Sequence, residues 1–279
     1  LMIRRPPRST PLYSSAASDV YKTQGSSGRV GFSTHLASAT IATSWYHPLV
    51  RLGLAANVSV VVSNPTDVVA DIEVAVVTGE GVVEAVVASV GPYDLTRIEV
   101  LPKTQERLVA NTVFTSATVF GLLVRSSNGV PVISGVELAS GPDGSPGKES
   151  PEAELLPIRV ALEQVELPVG RISGLSVSPG IPNGSRHWLL ALPPLEGEVL
   201  VAIQNAEQSD AKALISRYGS RGPYEVKLAG FGIHYYRVAA GNTLEIISDS
   251  AIAVTALHQE ANGAGLNSIL GIRFAEDEE

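Results

Sequence analysis

For most of this chain, apolar and polar residues alternate with the two-residue period of a β-strand. Ala70 to Val76 places Ile72, Val74 and Val76 on one face and Asp71 and Glu73 on the other. Tyr224 to Ala229 repeats the pattern, with Val226 and Leu228 opposite Glu225 and Lys227. Val58 to Ser63 and Val199 to Ile203 are continuous apolar runs, the mark of strands buried on both faces. Further strands are predicted over Val82 to Ala88, Leu95 to Leu101, Val119 to Arg125, Val130 to Leu138, Ala211 to Tyr218, His234 to Ala239, Leu244 to Ile247 and Ile252 to Leu257. Asn64-Pro65-Thr66-Asp67, Gly79-Glu80-Gly81, the turn around Asn205 and Ser248-Asp249-Ser250 separate them. Asn128-Gly129 between two apolar runs predicts a tight hairpin with both central residues at positive φ. No helix of ordinary length is predicted. The fold class is therefore all-β.

The order of these strands occurs twice. Gly31-Phe32-Ser33 is followed by Trp45, and Gly174-Leu175-Ser176 by Trp188, each Trp 14 residues after its Gly. Gly265-Leu266-Asn267 begins the phrase a third time. A repeated anchor means tandem modules. Roughly seven short strands per copy predict two tandem immunoglobulin-like antiparallel β-sandwiches, with Trp45 and Trp188 as their inward anchors. The expected division is 25–39 as the tail of a preceding module, 40–141 as the first sandwich, 142–170 as a linker or insertion, 171–273 as the second sandwich, and 274–279 as an acidic tail. Within the insertion, Pro157 interrupts a possible helix, so an extra strand from Ile158 to Glu166 is expected.

Composition sharpens this picture. Residues 1–24 resemble translated sequencing-adapter sequence. A twin-arginine export signal at Arg4-Arg5 is the alternative, but no apolar run follows it. The formal charge is −8; removing Arg4, Arg5, Arg8, Lys22 and Asp19 leaves 16 basic against 27 acidic residues, or −11. That balance argues against nucleic acid as a partner. The absence of Cys excludes disulfides and thiolate metal sites. No apolar run approaches a membrane span.

Few residues suggest chemistry. The five His residues lack metal-ligand spacing, and His47 and His187 read as rim residues beside the two indoles. No nucleophile elbow, phosphate loop or dinucleotide fingerprint occurs, and no calcium loop. Asp71, Glu73, Glu225 and Glu245 alternate with apolar residues, which is the pattern of solvent-facing sheet positions rather than of a catalytic carboxylate pair. No catalytic, cofactor or metal residue is assigned. Carbohydrate stacking on Tyr46, Tyr235 and Tyr236 is the best specific alternative, because one residue of each adjacent aromatic pair must face outward. Asn64, Asn205, Asn128 and Gly129 are read as turn residues.

Trp45-Tyr46-His47-Pro48, Ser63-Asn64-Pro65-Thr66-Asp67, Val124 to Val132 and Pro179-Gly180-Ile181-Pro182, in that order, carry a resemblance. The chain resembles a family of secreted or surface-anchored actinobacterial proteins with tandem immunoglobulin-like units. The second copy departs from it, with Ala206 in place of Pro65 and a shortened middle. The resemblance implies export to the cell surface or envelope, and it carries over no catalytic residue. A non-enzymatic scaffold is the first expectation, with cell-wall polysaccharide or an envelope protein as partner. A carbohydrate-binding module is the alternative.

Overall fold

A computed structural model describes residues 18–24, 30–36, 40–52, 56–102, 116–140, 154–158, 163–166, 174–192, 194, 198–220, 222–259 and 266–273. Among these residues every regular element is a strand. Of the expected 142–170 linker or insertion only 154–158 and 163–166 are among them; the expected 274–279 tail and residues 1–17 of the adapter-like segment lie outside them. Strands β1 (Ser18–Gln24) and β2 (Val30–Leu36) form an antiparallel pair.

The first sandwich uses β3 (Ser44–Leu52), β4 (Ala56–Ser63), β5 (Ala70–Thr78), β6 (Gly81–Val90), β7 (Leu95–Pro102), β8 (Ser116–Ser126) and β9 (Ile133–Ser140). Sheet order is β3-β8-β5-β6 in one layer and β7-β4-β9 in the other, all antiparallel. Both layers contribute to one buried core. Trp45, Ile72, Val74, Phe120 and Leu122 meet Val58, Val60, Ile98 and Val136 across it.

Two expectations are corrected here. Asn128-Gly129 does not close a hairpin: β8 lies between β3 and β5, whereas β9 lies in the opposite layer beside β4. The turn is an arch between layers, tied to the start of β5 by Asn128 Nδ2 donating to the Val69 carbonyl (2.8 Å) and Ser127 N to that of Asp71 (2.8 Å). Gly129 has a positive φ of 76°, but Asn128 does not. The expected strand from Ile158 to Glu166 is instead two short strands on different sheets. β10 (Glu154–Ile158) adds parallel to β7, and β11 (Glu163–Glu166) adds antiparallel to β8.

The third correction moves a module boundary. β12 (Gly174–Pro179) extends the β9 edge, and β13 (Ile181–Pro182) then pairs with Tyr46 and Trp45 in the other layer. Residues 174–182 therefore close the first sandwich rather than open the second. They form a strap that crosses its open side. Gly180 sits at the crossing because a Cβ there would lie 2.7 Å from the His47 ring and 3.0 Å from the Trp45 ring.

The second sandwich repeats this layout in fewer residues. Its strands are β14 (Ser185–Ala191), β15 (Glu198–Asn205), β16 (Ala211–Arg217), β17 (Tyr224–Leu228), β18 (Ile233–Ala239) and the long β19 (Thr243–Gln259). The first part of β19 pairs with β14 and β16, and the rest with β15, so one strand does the work of β8 and β9. β20 (Leu266–Leu270) and β21 (Ile272–Arg273) form an equivalent strap on β19 and β14. Gly271 takes the place of Gly180, with a Cβ position 2.7 Å from the Trp188 ring.

The two sandwiches share a buried boundary. Tyr46, Ala75, Val77, Leu123 and Ile181 of the first belong to the same apolar cluster as Ala202 and Ile233 of the second. Ala75 and Val77 are thus buried although the β5 alternation turns them away from their own core. At Gly121 a Cβ would come within 2.0 Å of Ile233 Cδ1, so the glycine forms the hole that this side chain fills. The turn at Gly79 to Gly81 meets the turn at Gly230 to Gly232. Gly81 has φ 106°, and a Cβ there would lie 2.7 Å from the Gly230 carbonyl oxygen. Tyr46 donates its hydroxyl across the boundary to the Ala206 carbonyl at 2.9 Å.

Candidate functional site

Trp45 and Trp188 are each only 1% exposed. Their indole nitrogens donate to equivalent carbonyls, Trp45 to Val132 and Trp188 to Ile252, both at 2.8 Å. Asn64 and Asn205 also have matching networks. Asn64 Nδ2 donates to Val68, Val90 and Gly91, and its Oδ1 accepts from Thr66 N. Asn205 Nδ2 donates to Ser209 and Ala229, and its Oδ1 accepts from Glu207 N. A fully buried amide satisfied at both ends organises the local chain, because leaving either end unmade is costly. These four residues hold the fold together and present nothing to a ligand.

The aromatic candidates separate. Tyr46 is 6% exposed and buried in the inter-sandwich boundary, so it cannot serve as a sugar platform. Burial raises its phenol pKa. Tyr235 packs against Leu200 and Val119 at the same boundary, and its hydroxyl oxygen is buried. Only Tyr236 of the three has an accessible neighbour. Its ring stacks on that of Tyr224 at 5.8 Å between centroids and 22° between planes. Tyr224 is 50% exposed. His234 lies 6.3 Å from Tyr224 on the same strand face as Tyr236. Partial burial lowers its pKa and favours the neutral imidazole.

These three rings line the corner where β17 and β18, the edge strands of the two layers, approach each other. Sequence reasoning chose the Tyr235-Tyr236 pair and missed Tyr224, which heads a strand 12 residues earlier. Its signal was an aromatic residue in phase with Val226 and Leu228 at a strand end.

Several other titratable groups make contacts within the fold. His47 is buried and its Nε2 lies 2.9 Å from Ser134 Oγ. Burial pushes its pKa down to about 3, so it stays neutral. Leu190, two residues after Trp188, holds the matching place in the second sandwich. Glu73 pairs with Arg125 at 2.6 Å, Glu245 with His187 at 2.9 Å, and Asp71 Oδ1 accepts from the Ser89 hydroxyl at 2.8 Å. No group of three or more His, Asp or Glu side chains able to hold a metal ion occurs among the described residues. No helix long and apolar enough to cross a membrane occurs among the described residues.

No protein-family model matches this chain, and no curated protein or solved structure shows significant similarity to it.

Proposed function

We propose that this chain is a non-enzymatic, exported scaffold segment of a cell envelope, in which two immunoglobulin-like sandwiches act as a stiff spacer. The supporting observation is the joint. Only Asn183 and Gly184 separate the strap of the first sandwich from the first strand of the second, and the flanking sheet faces are packed together. Independent domains on a flexible linker need neither a shared apolar cluster nor a Gly121–Ile233 fit.

The immunoglobulin-like reading rests on the four central strands. β4 pairs with β7 and β5 with β8 in opposite layers, as the second and fifth and the third and sixth strands of immunoglobulin sandwiches do. The outer strands differ: β3 lies beside β8, and β9 beside β4. The acidic balance and the ion-paired acids fit a surface role without supplying a reaction. In cells that make the protein, surface biotinylation with fractionation should recover it from the envelope or medium. Recovery only from the cytoplasm would refute the proposal.

A further inference from the structure

The chain contains three Asn-Gly pairs, and two of them, Asn128-Gly129 and Asn183-Gly184, lie among the described residues. An asparagine followed by glycine can cyclise, because a residue without a Cβ leaves its backbone nitrogen open to the neighbouring carboxamide. Both asparagines are exposed, so exposure does not separate them. Hydrogen bonding does. Asn128 Nδ2 donates to the Val69 carbonyl at 2.8 Å, and its Oδ1 accepts from Asp71 N at 3.2 Å and from Ser126 Oγ at 3.1 Å. That carboxamide is locked in place. Among the described residues, nothing hydrogen-bonds to the Asn183 side chain or to the Gly184 N–H.

The fold itself favours this pair at the joint. Asn183 takes φ 56°, a left-handed conformation that asparagine tolerates better than most residues. A Cβ at Gly184 would lie 2.8 Å from Ala206 Cβ and 2.9 Å from Ala251 Cβ. Ring closure moves the Asn183 side chain, which is the unrestrained part.

We infer that Asn183-Gly184 is a site of spontaneous deamidation, a covalent modification that lengthens the joint between the two sandwiches. The Gly184 nitrogen loses its proton to water or hydroxide and bonds to Asn183 Cγ. The Cγ–Nδ2 bond breaks, and Nδ2 takes up a proton and leaves as ammonia. Water then opens the cyclic imide. Attack at Cγ restores the original backbone and leaves an aspartate. Attack at the Asn183 main-chain carbonyl carbon routes the backbone through Cβ and Cγ, giving isoaspartate. Water is the only co-reactant, and nothing is oxidised or reduced. The isoaspartyl form adds one atom to a link seated at both ends. Asn183 N donates to the Ser44 carbonyl of the first sandwich, and Gly184 lies against Ala206 and Ala251 of the second. This inference does not depend on the scaffold proposal.

The test holds the full 279-residue chain at mildly alkaline pH and maps it with trypsin. Asn183 falls in peptide 172–186 and Asn128 in 126–148, each the only asparagine of its peptide. Expected in 172–186 are aspartyl and isoaspartyl forms, the latter labelled by an isoaspartyl methyltransferase. They should appear at least about tenfold faster than in 126–148, where several hydrogen bonds must break first. In urea-unfolded chain the two rates should converge. Native protein aged to the isoaspartyl form should exchange amides faster over 44–46 and 185–191 than Asn183→Asp, which carries the new charge on an unlengthened backbone. Four results overturn the inference. They are an unmodified 172–186 in native protein, equal native rates in the two peptides, a rate ratio that persists in urea, and amide exchange in the aged chain that matches Asn183→Asp. Aspartate also tolerates the left-handed conformation, so that variant should fold. The rate comparison needs no variant and decides the question independently.

Discussion

His47 and Ser134 show how one position can be polar in one copy and apolar in the other. The imidazole is sealed beneath Gly180 and satisfied by a single hydroxyl at 2.9 Å. Removing one partner of a buried hydrogen bond costs more than replacing both with apolar groups. Ser134→Val alone should therefore destabilise the protein by about 1–3 kcal/mol. Adding His47→Leu, which copies Leu190, should recover most of that loss in a double-mutant cycle read by urea denaturation. The same imidazole sets an acid limit. Its pKa falls from 6.5 to about 3 on folding, so between those values the unfolded chain binds the extra proton. Stability is full above pH 6.5 and declines as pH falls toward 3, by at most about 1.4 kcal/mol per pH unit from this group. The urea midpoint of His47→Leu/Ser134→Val should fall less steeply than wild type over that window. An unchanged slope would rule out His47 as the source. At this scale the sequence was only partly legible. The indoles and turn asparagines declared themselves by repetition. Tyr93 and Phe231 did not: both occupy positive φ near 56° in matching turns, and no residue type marks the left-handed conformation when it is not glycine or asparagine.

Most of the expected strands coincide with observed ones, because two-residue alternation reports directly on a half-buried sheet. β3 and β14, which carry the indoles, were not expected, and Ser248-Asp249-Ser250, expected as a turn, lies inside the continuous β19. Strand partners were not legible, and Asn128-Gly129 shows why. The dipeptide signals a reversal of the chain, but reversal within a layer and across layers use similar residues. What decides is the hydrogen bonding of Asn128 and Ser127 to the start of β5, nearly 60 residues away. The repeated Gly-x-Ser phrase was visible but assigned to the wrong neighbour. Its physical partner is the preceding indole, and the contact comes through Gly180 and Gly271, six residues further on. Gly271→Ala should force apart the Trp188–Leu190 contact, since its Cβ would lie 2.7 and 2.8 Å from their atoms. A loss of about 1–3 kcal/mol is expected, as for other overpacked sites. Tryptophan emission should shift to longer wavelength if β21 lifts. A fully wild-type melting curve and spectrum would count against the strap as a closing element.

At the scale of the whole molecule, face-to-face packing makes the two modules one body, and sequence had expected an intervening linker. Alternation could not reveal this, because Ala75, Val77 and Leu123 look like ordinary outward positions until a second sheet covers them. Gly121→Val is the sharpest probe. The new side chain collides with Ile233 but faces away from the first core. Small-angle scattering should show a larger radius of gyration, and calorimetry should resolve one cooperative transition into two. If both stay as in wild type, the modules are not mechanically joined through this contact. The Tyr46 hydroxyl bond to Ala206 should be lost in the same variant, and Tyr46 should become more reactive to nitration.

The strap also imposes an order in time. Trp45 is covered by Gly180 and Trp188 by Gly271, so each indole is synthesised long before the residue that seals it. A chain emerging from a ribosome holds its first sandwich unfinished until residues 174–182 have appeared, just ahead of the second. Completion then follows the direction of synthesis, the first sandwich being closed by the stretch that leads into the second.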